Sequence, residues 1–90
     1  MRQFHAIVTG RVQGVCFRME TRDRGLELNL AGYAKNLPDG SVEVVARGEQ
    51  SRLQEFITYL QEGPRLANVE AVKVTWDTCD EAPNPFTILY

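Results

Sequence analysis

The chain has 90 residues, with ten Lys and Arg against twelve Asp and Glu for a formal net charge of −2. That length sets one domain, residues 1–90, burying roughly 60–65% of its unfolded surface, and the slight negative charge excludes global attraction to nucleic acid or anionic membrane. Affinity for an anion must therefore be local.

"QFHAIVT" (3–9) alternates Phe4, Ala6 and Val8 with His5, Ile7 and Thr9, which predicts a strand with one well-buried face. "GRVQGVCFR" (10–18) follows, with two glycines, two arginines and no acid. Its place between a strand and a helix offers two readings. One is a nest of backbone amides with Arg18 reaching two oxygens of a phosphoryl group; the other is a plain turn with solvated arginines. It is neither a P-loop, lacking the G-K-[ST] ending, nor a cysteine phosphatase loop, since one residue separates Cys16 from Arg18. Cys16 reads as a small residue packed at the loop's end.

"FRMETRDRGLELN" (17–29) is helix-like with a thin buried stripe of Phe17, Thr21, Gly25 and Leu28. "GYAKNL" and "SVEVVAR" are strands joined by "LPDG", where Pro38 and Asp39 suit the corners and Gly40 can take a positive φ. Leu53, Phe56, Ile57 and Leu60 fall at i, i+3, i+4, i+7, Ser51 with Gln54 reads as a capping box, and Gly63-Pro64 ends that second helix. "VEAVKVTWD" carries Val72, Val74 and Trp76 on one face of a strand, and "FTILY" closes the chain as a short last strand.

The order β-α-β-β-α-β plus a terminal strand predicts an α+β fold. It is the ferredoxin-like α/β sandwich, a mainly antiparallel sheet with two helices on one face. Ferredoxin-like RNA binders need aromatics on central strands, and "SVEVVARG" has none, so no nucleic-acid partner is expected. No stretch is apolar enough to suggest a membrane partner, and Cys16 and Cys79 lie in no disulfide or zinc pattern, so two reduced thiols in a cytoplasmic protein are expected. His5 reads as a packed or exposed histidine, and no candidate metal cluster is present.

"GRVQGVCFR" and "GYAKNLPDGSVEVVARG" together resemble the two signature segments of the acylphosphatase family, G-x-V-Q-G-V-x-F-R and G-[YW]-x-x-N-x-x-D-G-x-V-E, without gaps from about Gly10 to Gly48. The resemblance implies a cofactor-free, metal-free hydrolase of small acyl phosphates, with inorganic phosphate as a competing anion and a monomer as the working unit. It implies that Arg18 binds the substrate phosphate within a loop of Arg11, Val12, Gln13, Gly14, Val15, Cys16, Phe17 and Arg18, and that Asn36 positions the attacking water. Outside that resemblance, an asparagine beside "PDG" is more commonly a turn residue bonded to backbone. The rival class is a non-catalytic phosphate- or acyl-phosphate-binding module of the same fold. The family commonly has alanine at Gly25 and glycine at Asn29, and varies at Leu37. Asn29 tolerates a left-handed helix end, whereas Gly25 is expected to loosen the helix carrying Arg18.

Overall fold

The computed structural model describes residues 1–14, 16–78 and 85–89. The elements run β1 (Arg2–Arg11), α1 (Phe17–Glu27), β2 (Ala31–Asn36), β3 (Val42–Gly48), α2 (Gln50–Glu62), β4 (Asn68–Thr78) and β5 (Thr87–Leu89). They form one five-stranded sheet in the order β4-β1-β3-β2-β5, antiparallel throughout except that β5 runs parallel to β2. This is the ferredoxin-like α/β sandwich. Each helix connects two strands that run the same way, which requires a crossover over the sheet.

Alternation decides which face the helices cover. Phe4, Ala6 and Val8 of β1 and Val42, Val44 and Ala46 of β3 are sealed from solvent. Register sets Phe4 opposite Ala46 and Val8 opposite Val42, so the central strands present one continuous apolar surface. The α2 stripe Leu53, Phe56, Ile57 and Leu60 closes over it. The Phe56 ring meets Phe86 edge-on at 5.3 Å, and Phe4 meets Trp76 edge-on at 5.8 Å, packing arrangements that add to simple area burial. Val72, Val74 and Trp76 of β4 extend the same core, half-covered.

The thin stripe of α1 buries Phe17, Thr21 and Gly25 as its spacing predicts. Gly25 has a further reason to be bare: a Cβ there would stand 2.7 Å from the Phe86 ring, so its absence lets the segment leading into β5 lie against the helix. The helix ends in a Schellman motif. Leu30 N–H donates to Gly25 O and Asn29 N–H to Leu26 O, with Asn29 at φ 55. Asparagine thus occupies the left-handed position, which ends α1 before Asn29.

One local expectation is corrected. The capping box of Ser51 and Gln54 does not form: α2 begins two residues earlier than that box would place it, with Glu49 as N-cap and without a side-chain capping bond. Leu53 must face the sheet, and its N–H already donates to Glu49 O at 3.0 Å, so the extended-to-helical switch falls at Glu49. Ser51 is left on an exposed face. The hairpin forms as expected, with Gly40 at φ 94, Gly40 N–H donating to Leu37 O and Leu37 N–H to Ser41 O. Asp39 accepts from both the hydroxyl and the amide of Ser41, which together hold its carboxyl below its usual pKa range.

Candidate active site

Between the end of β1 and the start of α1 the chain reverses through two left-handed residues, Gly14 at φ 73 and Cys16 at φ 61. Glycine takes that conformation freely, whereas for cysteine it costs about 1 kcal/mol or more. Strain of this kind collects where a loop must hold one shape for a ligand. Cys16 is also the N-cap of α1, and it offers no side-chain acceptor to the helix. The first intrahelical bond runs from Glu20 N–H to Cys16 O, so the amides of Phe17, Arg18 and Met19 precede the helical ladder. A helix start of this kind suits an anion, through its first-turn amides and its positive dipole end.

The loop is tied to the β2–β3 hairpin by one side chain. Gln13 Nε2 donates to Leu37 O at 2.8 Å and to Ser41 O at 2.9 Å. Both partners are carbonyls, which only accept, so the amide nitrogen is fixed on that side. The two contacts span the mouth of the turn immediately after Asn36 and lock the hairpin against the loop.

A cavity of about 350 Å³ lies at this junction. Gln13, Gly14, Cys16 and Arg18 line it from the loop and helix start, Asn36 from β2, and Val12 and Phe17, both buried, from below. Met19 and Ile88 complete the wall. Arg18 Nη1 donates to Leu89 O at 3.3 Å, so β5 helps to hold the guanidinium. Asn36 Oδ1 is buried with no hydrogen-bond partner among the described residues, a condition that costs about 1–3 kcal/mol unless a ligand or water relieves it. Two other buried oxygens share that condition among the described residues, Thr21 Oγ1 and Tyr59 OH. Those two belong to α1 and α2, and neither lines this cavity. Burial pushes the Tyr59 hydroxyl above its usual pKa, offset in part by the neighbouring Thr21 hydroxyl.

Of the loop residues singled out from sequence, Val12, Gln13, Gly14, Cys16, Phe17 and Arg18 gather around the cavity with Asn36. Arg11 does not: it ends β1 opposite Asn68, exposed, and outside the lining. Val15 lies outside the described residues, as does Cys79, whereas Cys16 is a free thiol. Leu37 contributes its backbone to the Gln13 clamp and lies outside the lining. Met19, Ile88 and the side chain of Gln13 escaped the sequence reading. The clue to Met19 was an apolar residue in the first turn of an otherwise charged helix.

A larger groove of about 480 Å³ is lined by Arg24, Glu55, Thr58, Tyr59 and Glu62. Its two carboxylates oppose an anion, so chemistry and not volume selects the cavity at the loop. On the sheet face away from the helices, Glu43 accepts from His5 Nε2 at 2.7 Å and from Tyr33 OH at 2.9 Å. His5 is thus a partner in a polar network outside the cavity. Among the described residues no group of three or more His, Cys, Asp or Glu side chains is placed to hold a metal, and no helix is long and apolar enough to cross a membrane.

The fold and the cavity define a small α+β sandwich that gathers an arginine, a helix start and a carboxamide at the end of its first strand. The family model for acylphosphatase matches residues 4–88. An acylphosphatase of Thermus thermophilus is 55% identical over 76 residues, covering 84% of this chain and 86% of its relative. One of Dehalococcoides mccartyi is 46% identical over 89 residues, 98% of each chain. The crystal structure of acylphosphatase from Bacillus subtilis superposes with a TM-score of 0.95 at 38% identity, covering all of both chains. The chain belongs to the acylphosphatase family.

Proposed function

We propose that this protein is an acylphosphatase, hydrolysing acyl phosphates to a carboxylate and inorganic phosphate by direct attack of an oriented water, and that residues 1–90 act as a single catalytic domain. The observation that carries the reading is the shared cavity: an arginine and the amino end of a helix beside a carboxamide whose buried oxygen has no hydrogen-bond partner among the described residues.

The leaving group explains why so few groups suffice. An acyl phosphate expels a carboxylate, already a weak base, so no general acid is needed to protonate it. What remains is to hold a dianion, spread the charge of a loose, metaphosphate-like transition state and place a water in line with the departing oxygen. Arg18 and the amides at the start of α1 serve the first two tasks as preorganised donors. Asn36 serves the third. Its carboxamide oxygen accepts a hydrogen bond from the water, relieving its unpaired state, while the basicity of an amide is far too low for it to take the proton. The water oxygen bonds to phosphorus, the bond from phosphorus to the acyl oxygen breaks with its electron pair going to the carboxylate, and the water's proton passes to a phosphate oxygen. Gln13 keeps Asn36 and the loop at a fixed separation throughout.

Inorganic phosphate, the product, competes for the same cradle. The protein works as a monomer in the cytoplasm, where the reduced Cys16 thiol stays free; sedimentation at working concentration tests the first point. The decisive experiment follows loss of benzoyl phosphate and acetyl phosphate with excess EDTA present. Turnover above the uncatalysed rate is expected. Its absence, with phosphate still binding, would leave a binding module in place of an enzyme.

A further inference from the structure

The phosphoryl cradle uses only part of the cavity wall. Met19, in the first turn of α1, is 52% exposed, and Ile88, in the middle of β5, is half-buried and held beside Ala34 by the parallel register with β2. Single exposed apolar residues are ordinary on any protein surface. These two differ in converging, from opposite ends of the chain, on one small cavity whose other solvent-facing side chains, Gln13, Cys16, Arg18 and Asn36, are polar or a thiol.

Their position relative to Arg18 gives them a role. Met19 follows Arg18 in the chain, and Ile88 precedes Leu89, whose carbonyl accepts from the Arg18 guanidinium. Arg18, Met19 and Ile88 all line the one cavity, so a phosphoryl group held there by the guanidinium has both apolar side chains in the surrounding wall. Only a bridging oxygen separates phosphorus from the acyl carbon, so the acyl substituent must lie in the immediate surroundings. Among the described residues no carboxylate and no second cation lines the cavity to receive a charged acyl end. The volume of about 350 Å³ lies near the small end of the roughly 300–1,000 Å³ of ligand sites, enough for a phosphoryl group and one compact substituent.

Building on the proposed function, we infer that Met19 and Ile88 form the subsite for the acyl group, and that the enzyme favours acyl phosphates whose acyl group is compact and apolar, such as an aromatic ring. The unbranched, adaptable thioether of Met19 folds over the face of such a group, while the β-branched Ile88 supplies a fixed wall. Discrimination arises because an apolar substituent is removed from water against them, whereas an acetyl group is too small to reach both.

The experiment compares kcat/KM for benzoyl and acetyl phosphate in the parent protein, Met19→Gln, Met19→Leu and Ile88→Thr. Intrinsic reactivity of the two compounds cancels when the ratio is compared between proteins. Met19→Gln, which keeps side-chain length at an exposed helical position, is expected to lower the benzoyl-to-acetyl ratio about tenfold. Met19→Leu should hold it within about twofold, and Ile88→Thr should lower it less than Met19→Gln does. A ratio unmoved by Met19→Gln, with both compounds still hydrolysed, would overturn the subsite and leave the proposed function standing. An equal fall in Met19→Gln and Met19→Leu would also overturn it, by showing that helix shape and not apolarity is read. A parent protein that hydrolyses neither compound removes the proposed function itself, and the subsite with it.

Discussion

The cavity at the end of β1 and the open face of the sheet both carry polar side chains, with β2 contributing Asn36 to one and Tyr33 to the other, and they treat those groups in opposite ways. On the open face Glu43 is met by His5 and Tyr33, and Arg47 Nε donates to Gln3 Oε1 at 2.7 Å. At the cavity the Asn36 oxygen has no partner, α1 starts without a side-chain cap, and a cysteine adopts a left-handed conformation. Buried polar groups normally find partners, so structural economy accounts for the open face and not for the cavity. The cavity is organised around something that the protein alone does not supply.

Four substitutions test that contrast. Arg18→Gln should have the largest effect, lowering kcat/KM for an acyl phosphate by about 10³-fold or more and weakening inhibition by inorganic phosphate in parallel, since in the proposed mechanism one guanidinium serves ground and transition states. Asn36→Ala is expected to lower kcat by about 10²- to 10³-fold while phosphate inhibition persists; near-full kcat would move Asn36 to the structural side of the comparison. Gln13→Met removes both donors of the clamp at similar volume. A fall in kcat of about tenfold, with a much smaller change in phosphate inhibition, would show that the clamp positions Asn36 and does not itself bind the anion.

Glu43→Gln should change stability and leave kcat within about twofold. The His5 hydrogen bond is the main cause holding Glu43 below the usual 4.5, opposed by burial and aided by Tyr33. A depressed carboxyl contributes stability above its unfolded pKa and loses it as pH falls through the lower folded value. With His5 partly in solvent, the contribution is about 1 kcal/mol at most. Urea unfolding of parent and variant should therefore differ by that amount near neutrality, with the difference shrinking as pH falls below 4.5 and through the lower folded value. Tyr33, pushed up first by burial and then by its bond to Glu43, stays protonated throughout.

The sequence made the contrast half-visible. Period-two alternation marked the buried residues of β1 and β3 because one face of each strand packs against helices, and Leu53, Phe56, Ile57 and Leu60 marked the covered stripe of α2 in the same way. The loop residues and Asn36 were legible through two contiguous motifs. Contacts between distant segments were not. The partners of Gln13 lie 24 and 28 residues away and are backbone carbonyls, which any residue type supplies. Ile88 reaches the cavity only because β5 adds parallel to β2, a pairing that short apolar runs do not encode. The start of α2 was missed because the Ser51–Gln54 spacing is a purely local signal, whereas the helical ladder opens earlier, with Leu53 N–H donating to Glu49 O.

The hydrogen bond from Arg18 to Leu89 spans 71 residues of sequence and depends on β5 being seated beside β2. Contacts of such wide separation close late, after the local hairpin and helices have formed. In refolding, this contact is therefore expected to form after the hairpin and helices, and recovery of the proposed turnover should follow the docking of β5 beside β2. Enzymatic activity then serves as a clock for the last step of folding, one that the far-ultraviolet signal of the earlier elements does not report.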